Sequence, residues 1–477
     1  MTAKPLQSLG SGKIVVASNR GPVTFLEGGG AKRGSGGLVS ALRPAMESGA
    51  GTWIAVAMSE ADREFAANSE VSQTAEIDGG RYNLRYLNID ESTFRSAYDF
   101  ISNGLLWFAA HGLFDAAHRP RIDARAHAAW SAYRTYNEQV AEAVAAEVGT
   151  SDATVLVQDF HLYLAPAMLR NLIPQAKIGF FLHTPFPSVE SLSRLPAEWC
   201  KEILGLAGAC DLVGFHSQRW ADRFDEARAA YGSSVEAPGS SAHSNLAVFP
   251  LGPDPETLKS ELKSSAVFEA GKRLEEIVGA EDLLVLRVDR MEPAKNIVRG
   301  FWAIDELLGA APELRGRLRH LALLHPSRER LVEYQAYEAE CRLTAEAVNS
   351  RWRLPTWEPI TVDVADSYPR SLAALRRYDV LLVNSIADGM NLVAREGPIA
   401  NERDGSLVIS AQAGAADVLG DAALVVNPFD VSETAAAIAR ALSMAGDERR
   451  ERAKSLRELA GAHPPRAWLE AQLAALG

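Results

Sequence analysis

Two cations stand five positions apart just beyond an apolar run. In Val288-Asp289-Arg290-Met291-Glu292-Pro293-Ala294-Lys295-Asn296, Arg290 offers a planar fork and Lys295 a mobile point charge. Residues 283–286 before them read as a strand, so both cations fall in the loop that leaves it. A diphosphate leaving group gathers negative charge as its bond to carbon breaks, and fixed cations stabilise that charge in the transition state. A second strand-to-helix junction reads Asp388-Gly389-Met390-Asn391-Leu392-Val393-Ala394-Arg395-Glu396. Asp388 suits sugar hydroxyls, and the backbone of Met390, Asn391, Leu392 and Val393 suits sugar and phosphate. Glu396, about two helical turns beyond Asp388, suits ribose hydroxyls. Together these are the groups that transfer from a nucleoside-diphosphate sugar requires.

Three further junctions carry polar groups. Ser18-Asn19-Arg20-Gly21-Pro22 is followed by glycines at 28–30 and by Gly34-Ser35-Gly36-Gly37, where a helix is expected to begin. Gly36 and Gly37 would let backbone N–H groups approach a phosphate at the positive end of the helix dipole. The segment is neither a Walker A loop nor a Rossmann fingerprint, since the GK[ST] ending and the GxGxxG order are missing. In Gln158-Asp159-Phe160-His161-Leu162, Asp159 either accepts a sugar hydroxyl or acceptor proton, or caps the next helix. In Phe180-Phe181-Leu182-His183-Thr184-Pro185-Phe186-Pro187, His183 lies between an apolar strand and a turn fixed by prolines.

The elements that must position these residues alternate along the whole chain. Strands are expected at 14–18, 53–57, 154–157, 178–182, 212–215 and 246–250, and again at 283–288, 318–324, 360–362, 380–384, 407–410 and 424–427. Helices such as 125–148, 297–308 and 433–442 lie between them. Continuous apolar strands joined by helical crossovers make parallel sheets covered on both faces. The fold class is therefore α/β, with two doubly wound Rossmann-like domains facing each other across a cleft. The boundaries are 1–255, 256–455 and a C-terminal helix, 456–477, docking back on the first domain.

Composition narrows the function classes. The net charge of −12 leaves no basic surplus for general nucleic-acid binding. Cys200, Cys210 and Cys341 form no metal-ligand or disulfide pattern, which fits buried thiols in a reducing compartment. No signal core and no run of ~18 apolar residues occurs, so a cytoplasmic location without membrane association is expected.

In combination, SNRGP, GSGGL, QDFHL, FFLHTPFP, the Arg290–Lys295 pair and DGMNLVAREG resemble the trehalose-6-phosphate synthase family, over residues 14–442. That family is a group of retaining glycosyltransferases with the double-Rossmann (GT-B) fold. The resemblance implies transfer of glucose from UDP-glucose or GDP-glucose to glucose 6-phosphate. It assigns Arg20, Tyr98, Trp107 and Arg328 to the acceptor, and Gly36, Gly37, Arg290 and Lys295 to the donor diphosphate. Asp388 and the Met390–Val393 backbone cradle the donor sugar, Glu396 holds ribose, and Asp159 and His183 stand at the reacting sugars. It also implies one-face retention without a protein nucleophile, no cofactor, no metal, and closure of the cleft on its substrates; a homo-oligomer is compatible with it.

Two departures concern the donor side. Asn296 stands where glycine often follows the lysine, and Gly397-Pro398-Ile399 replaces a more common aromatic start. The segment Thr356-Trp357-Glu358-Pro359 is expected near the nucleobase, and the base itself stays open. The alternatives are a pseudo-glycosyltransferase joining cyclitols through a C–N bond, which the PAKN and Asn401–Asp404 segments resemble, and a non-catalytic sugar-phosphate sensor. The intact DGMNLV and glycine loops weigh against the first, and the retained cations Arg20, Arg290, Lys295 and Arg328 against the second.

Overall fold

The alternating pattern folds into two doubly wound α/β units. A computed structural model describes residues 13–28, 30–33, 38–39, 41–42, 51–67, 72–77, 80–232 and 245–477. Unit 1 comprises Met1–Leu251 with Pro465–Gly477, and unit 2 comprises Gly252–Pro464.

Unit 1 contributes β1 (Lys13–Ala17), a hairpin of β2 (Val23–Phe25) and β3 (Ala31–Arg33), β4 (Gly51–Val56), β5 (Gln73–Ile77), β6 (Gly80–Leu87), β7 (Ala153–Gln158), β8 (Lys177–Leu182), β9 (Leu212–Phe215) and β10 (Asn245–Val248). Its main sheet has the order β10-β9-β8-β7-β1-β4-β6-β5, parallel except where β5 runs against β6 at one edge. The chain starts at β1, builds outward through β4 and β6, then returns to place β7 on the other side of β1. That reversal is a topological switch point, where doubly wound sheets bind ligands beyond their strand C-termini. The loops after β1 and β7 flank it.

Unit 2 repeats the scheme with β11 (Leu283–Arg290), β12 (Leu318–His325), β13 (Ile360–Val364), β14 (Val380–Val383), β15 (Ser406–Ser410) and β16 (Leu424–Val426), ordered β13-β12-β11-β14-β15-β16. All these pairs are parallel. Leu284, Leu286 and Val288 of β11 enter one hydrophobic core and Val285 the other, so both faces of the strand are covered. The switch point lies between β11 and β14, which brings the loop carrying Lys295 beside the loop carrying Asp388.

All twelve strands read from the sequence form, with ends shifted by no more than two residues. The pair β5–β6 was not foreseen. In β6, Leu84 and Tyr86 are buried while Arg85 between them is not, the alternation of a half-covered strand near an edge. Helix Pro465–Ala475 belongs to unit 1 because Trp468, 2% exposed, packs its ring 4.8 Å from that of Phe181 and donates its indole N–H to Phe249 O at 3.1 Å.

Candidate functional site

At the unit 1 switch point the backbone is fixed from below. Ser18 Oγ donates to Arg20 O at 2.7 Å and accepts from the Trp53 indole at 2.8 Å. Helix Ala124–Val148 braces both flanking loops. Tyr136 donates to the Asn19 side chain, and Tyr133 donates to Phe160 O at 2.7 Å. Asn137 accepts from the Leu164 and Ala165 amides at 3.2 and 3.1 Å. Above this scaffold Arg20 donates to the Tyr98 hydroxyl at 3.1 Å, and the Tyr98 ring stacks on His161 at 5.5 Å. Tyr98 rides on a π-helix, Arg95–Leu106, a wide-turned form that recurs at functional sites.

Asp159 has φ of 71°, a left-handed conformation that costs a non-glycine residue free energy. It holds that shape at the end of β7, with its amide donating to Phe181 O at 2.8 Å and its carboxylate accepting from the His183 amide at 3.2 Å. It makes no cap of the short helix that follows. His183 is bracketed by Gln158 Oε1 at 2.9 Å from Nε2 and His216 Nε2 at 3.1 Å from Nδ1. Burial and the neighbouring His216 hold its imidazole well below the usual histidine range, so it is neutral at physiological pH.

In unit 2 the two sequence-predicted loops meet. Lys295 Nζ lies 2.5 Å from Asp388 Oδ2, which also accepts from Asn391 Nδ2 at 3.0 Å. Burial would lower the Lys295 pKa, but Asp388 and Asp289 more than offset it, and the ammonium is held above its ordinary value. Asn391, with φ of 75°, uses its own Oδ1 to accept from the Ala394 amide at 3.0 Å, at the start of helix Val393–Ala400. Met390 O accepts from the Ala415 amide at 2.7 Å, an approach that requires glycine at 414 because a Cβ there would collide with Gly389 O. Asn296 has φ of 57°, which explains why glycine suits this position and asparagine tolerates it. Its side chain donates to Asn384 O at 2.9 Å and Pro428 O at 2.6 Å.

Beneath the Lys295 loop lies Arg287, 0% exposed. Its guanidinium donates to Asp289 Oδ2 at 2.9 Å, to Lys295 O at 2.8 Å and to the Asn384 side chain. Burial pushes the Asp289 carboxyl up to about 6, against the pull of Arg287 and Lys295. Arg290, at the end of β11, sets its Nε 2.7 Å from Glu292 Oε1, and Arg328 reaches the other oxygen of Glu292 at 3.5 Å. Glu396 lies beside Glu261 and Tyr368. Burial and the Glu261 charge raise its pKa to about 7.

Residues 12–477 match the profile of glycosyltransferase family 20. The chain belongs to that family. It is 34% identical over 460 residues to the bifunctional trehalose-6-phosphate synthase/phosphatase of Thermoproteus tenax, covering 94% of this chain and 61% of that protein's length. It is 30% identical to validamine 7-phosphate valienyltransferase of Streptomyces hygroscopicus, over 88% of this chain and 84% of that one. A crystal structure of an alpha,alpha-trehalose-phosphate synthase (UDP-forming) from Burkholderia xenovorans in complex with glucose-6-phosphate matches with a TM-score of 0.81 at 25% identity, covering 98% of this chain and 100% of the other. Family 20 membership and this match agree with the double-Rossmann architecture.

Several site expectations need adjustment within this family framework. Trp107 is 1% exposed, with its ring against Phe108 and His111, so it sits in the core while Tyr98 meets Arg20. Gly36 and Gly37 lie outside the described residues. The segment 356–359 is not at the ligand edge of the unit 2 sheet. It precedes β13, and Trp357 donates to Leu318 O at 3.1 Å at the start of β12, so it stands at the strand N-termini, opposite Arg290 and Asp388. Tyr133, Asn137, Arg287 and Glu292 went unnoticed in the sequence. Arg287 had a signal, since a charge inside an otherwise apolar strand must be paired. Among the described residues, no helix is long and apolar enough to cross a membrane.

Proposed function

We propose that this chain is a retaining glucosyltransferase that moves glucose from a nucleoside-diphosphate glucose, UDP- or GDP-linked, to the anomeric hydroxyl of glucose 6-phosphate. The products are α,α-trehalose 6-phosphate and the nucleoside diphosphate. The observation that carries the reading is the meeting of Lys295 and Asp388 at the unit 2 switch point, with Arg290 at the end of the adjoining strand. A cation there stabilises the departing diphosphate, and a carboxylate beside it orients sugar hydroxyls. Asp159, His183, Arg20 and Tyr98 serve the reacting sugars and the acceptor, and Glu396 the ribose. Retention on one face lets the departing phosphate oxygen take the acceptor proton, so no protein nucleophile is used.

The test mixes purified protein with glucose 6-phosphate and, separately, UDP-glucose or GDP-glucose, and follows nucleotide release and product mass. A phosphorylated disaccharide from either donor supports the reading and names the base. One second reading is kept for the test, C–N coupling of a nucleotide-linked cyclitol to an aminocyclitol phosphate, because a valienyltransferase is among the relatives. Product only from that pair would replace the first reading. Because side chains hold the diphosphate, turnover is expected to persist in a chelator. Loss of activity restored by a divalent ion would overturn that expectation.

Glu396 gives the reaction a pH dependence. Its carboxylate, not its acid, accepts ribose hydroxyls, and its pKa of about 7 means the competent form is lost as pH falls. The donor KM is expected to rise about tenfold from pH 8 to pH 6, following the ionised fraction of such a group. Glu261→Gln removes a charge that raises this pKa and should move the rise to lower pH. A donor KM flat across this range in the parent protein would refute the assignment.

A further inference from the structure

Glu292 belongs to no part of the site assigned above, yet it touches most of its cations. The residue is 0% exposed. Its Oε1 pairs with Arg290 Nε at 2.7 Å and accepts from Ser327 Oγ at 3.0 Å, while Oε2 lies 3.5 Å from Arg328 Nη1. Its main chain is equally engaged: its carbonyl accepts from the Lys295 amide at 3.0 Å, and its amide donates to Arg290 O at 2.8 Å. Arg290 ends β11 and Arg328 follows β12, and the two strands pair in register with Arg290 opposite His325. One carboxylate therefore bridges two neighbouring strand-end loops, each carrying an arginine.

The arrangement is costly as a stability device. Arg290 is half exposed, and an ion pair with it would form at the surface without burying a carboxylate. Arg328 has φ of 45°, an unfavourable backbone for a side chain of its size, and is held by Glu292 and the Tyr334 hydroxyl. A strained residue fixed by a buried carboxylate is a means of setting direction. We propose that Glu292 is a positioning residue that fixes the spacing and orientation of Arg290 and Arg328, and so couples recognition of the donor diphosphate to recognition of the acceptor phosphate. The inference rests on the function proposed above. Burial alone would raise the Glu292 pKa, but Arg290, Arg328 and Lys295 reverse this and keep it below the ordinary value, so the carboxylate stays charged wherever the enzyme works.

Charge and positioning predict opposite results for Glu292→Gln. On charge alone, removing an anion from a cluster of cations tightens the binding of any phosphate. If Glu292 positions the arginines, the same change weakens two different ligands at once. The experiment titrates the full chain calorimetrically with UDP, with GDP and, separately, with glucose 6-phosphate. We expect Glu292→Gln to weaken the better nucleotide and glucose 6-phosphate about tenfold each, while Arg328→Lys weakens glucose 6-phosphate alone. In the double variant the two losses should not add for glucose 6-phosphate, because both act through one guanidinium. Tighter binding, unchanged binding, or loss of only one ligand in Glu292→Gln overturns the proposal. Should that variant fail to fold, Glu292→Asp keeps the charge but withdraws it by one methylene, and the same paired loss is expected. A parent protein that binds neither nucleotide nor glucose 6-phosphate would instead overturn the proposed function, and this inference with it.

Discussion

Replacing Arg290 with alanine is expected to lower kcat by about 10²–10³-fold, the range seen when one preorganised donor to a developing charge is removed. The donor KM should change much less. The diphosphate is charged in the ground state, but it gains further charge as the glycosidic bond breaks, and only the extra interaction enters kcat. Arg290 is suited to this because Glu292 engages its Nε and so fixes the plane of its guanidinium. Arg290→Lys restores the charge but not the fork, so an intermediate rate is expected. The alanine variant also removes the nearest partner of the buried Glu292, so stability should fall, though by less than for a buried cation, since Arg290 is 55% exposed and Arg328 and Ser327 still engage that carboxylate. Steady-state kinetics with both substrates varied provides the check. A raised donor KM with unchanged kcat would mean that Arg290 only holds the ground state. Unchanged kinetics would remove it from the site.

How much of this was legible in the sequence depended on burial. Strands such as β11 and β14 are covered on both faces, so β14 appears as an unbroken apolar run and β11 as one interrupted only at Arg287 before its polar end, and their C-terminal loops could be located to within two residues. Arg290, Lys295 and Asp388 were therefore readable, because a doubly wound sheet puts its chemistry at those ends. The strand β6 was missed because Asn83 and Arg85 alternate with the buried Leu84 and Tyr86, so no continuous apolar run appears. Trp357 was misplaced for a different reason. The resemblance set its segment near the nucleobase, but whether a loop enters or leaves a strand decides which edge it occupies, and this one enters β13. Tyr133 and Asn137 lie in the middle of an Ala-rich helix, and their partners are carbonyls and amides some 24 to 28 positions away. No local pattern marks such contacts. Glu292 was hidden by its surroundings, since a glutamate among an arginine, a lysine and a proline reads as solvated loop.

Arg287 was passed over for the opposite reason, since it interrupts an otherwise apolar strand, and its removal should have the largest effect on stability. Arg287→Leu is expected to cost about 3–5 kcal/mol, the penalty for leaving one member of a buried ion pair uncompensated. Both partners are buried: Arg287 is 0% exposed and Asp289 8%. The substitution also removes donors from Lys295 O and the Asn384 side chain, so the loop bearing Lys295 should loosen and turnover should fall along with stability. The sign of the pH dependence follows from Asp289. Burial already raises its carboxyl to about 6, and Arg287 is the strongest influence opposing that rise, so without Arg287 the pKa climbs further. The cost of the variant comes from a charged, unpaired Asp289. It should therefore be greatest at pH 8 and narrow as pH falls toward 5 and the carboxyl takes up a proton. Urea denaturation of both proteins across that range measures it. The double variant Arg287→Leu with Asp289→Leu removes the orphaned charge and should recover part of the loss, because paired sites couple. A deficit that is equal at both pH values, or that deepens in the double variant, would show that Arg287 acts through packing against Gly300 and its helix and not through the ion pair.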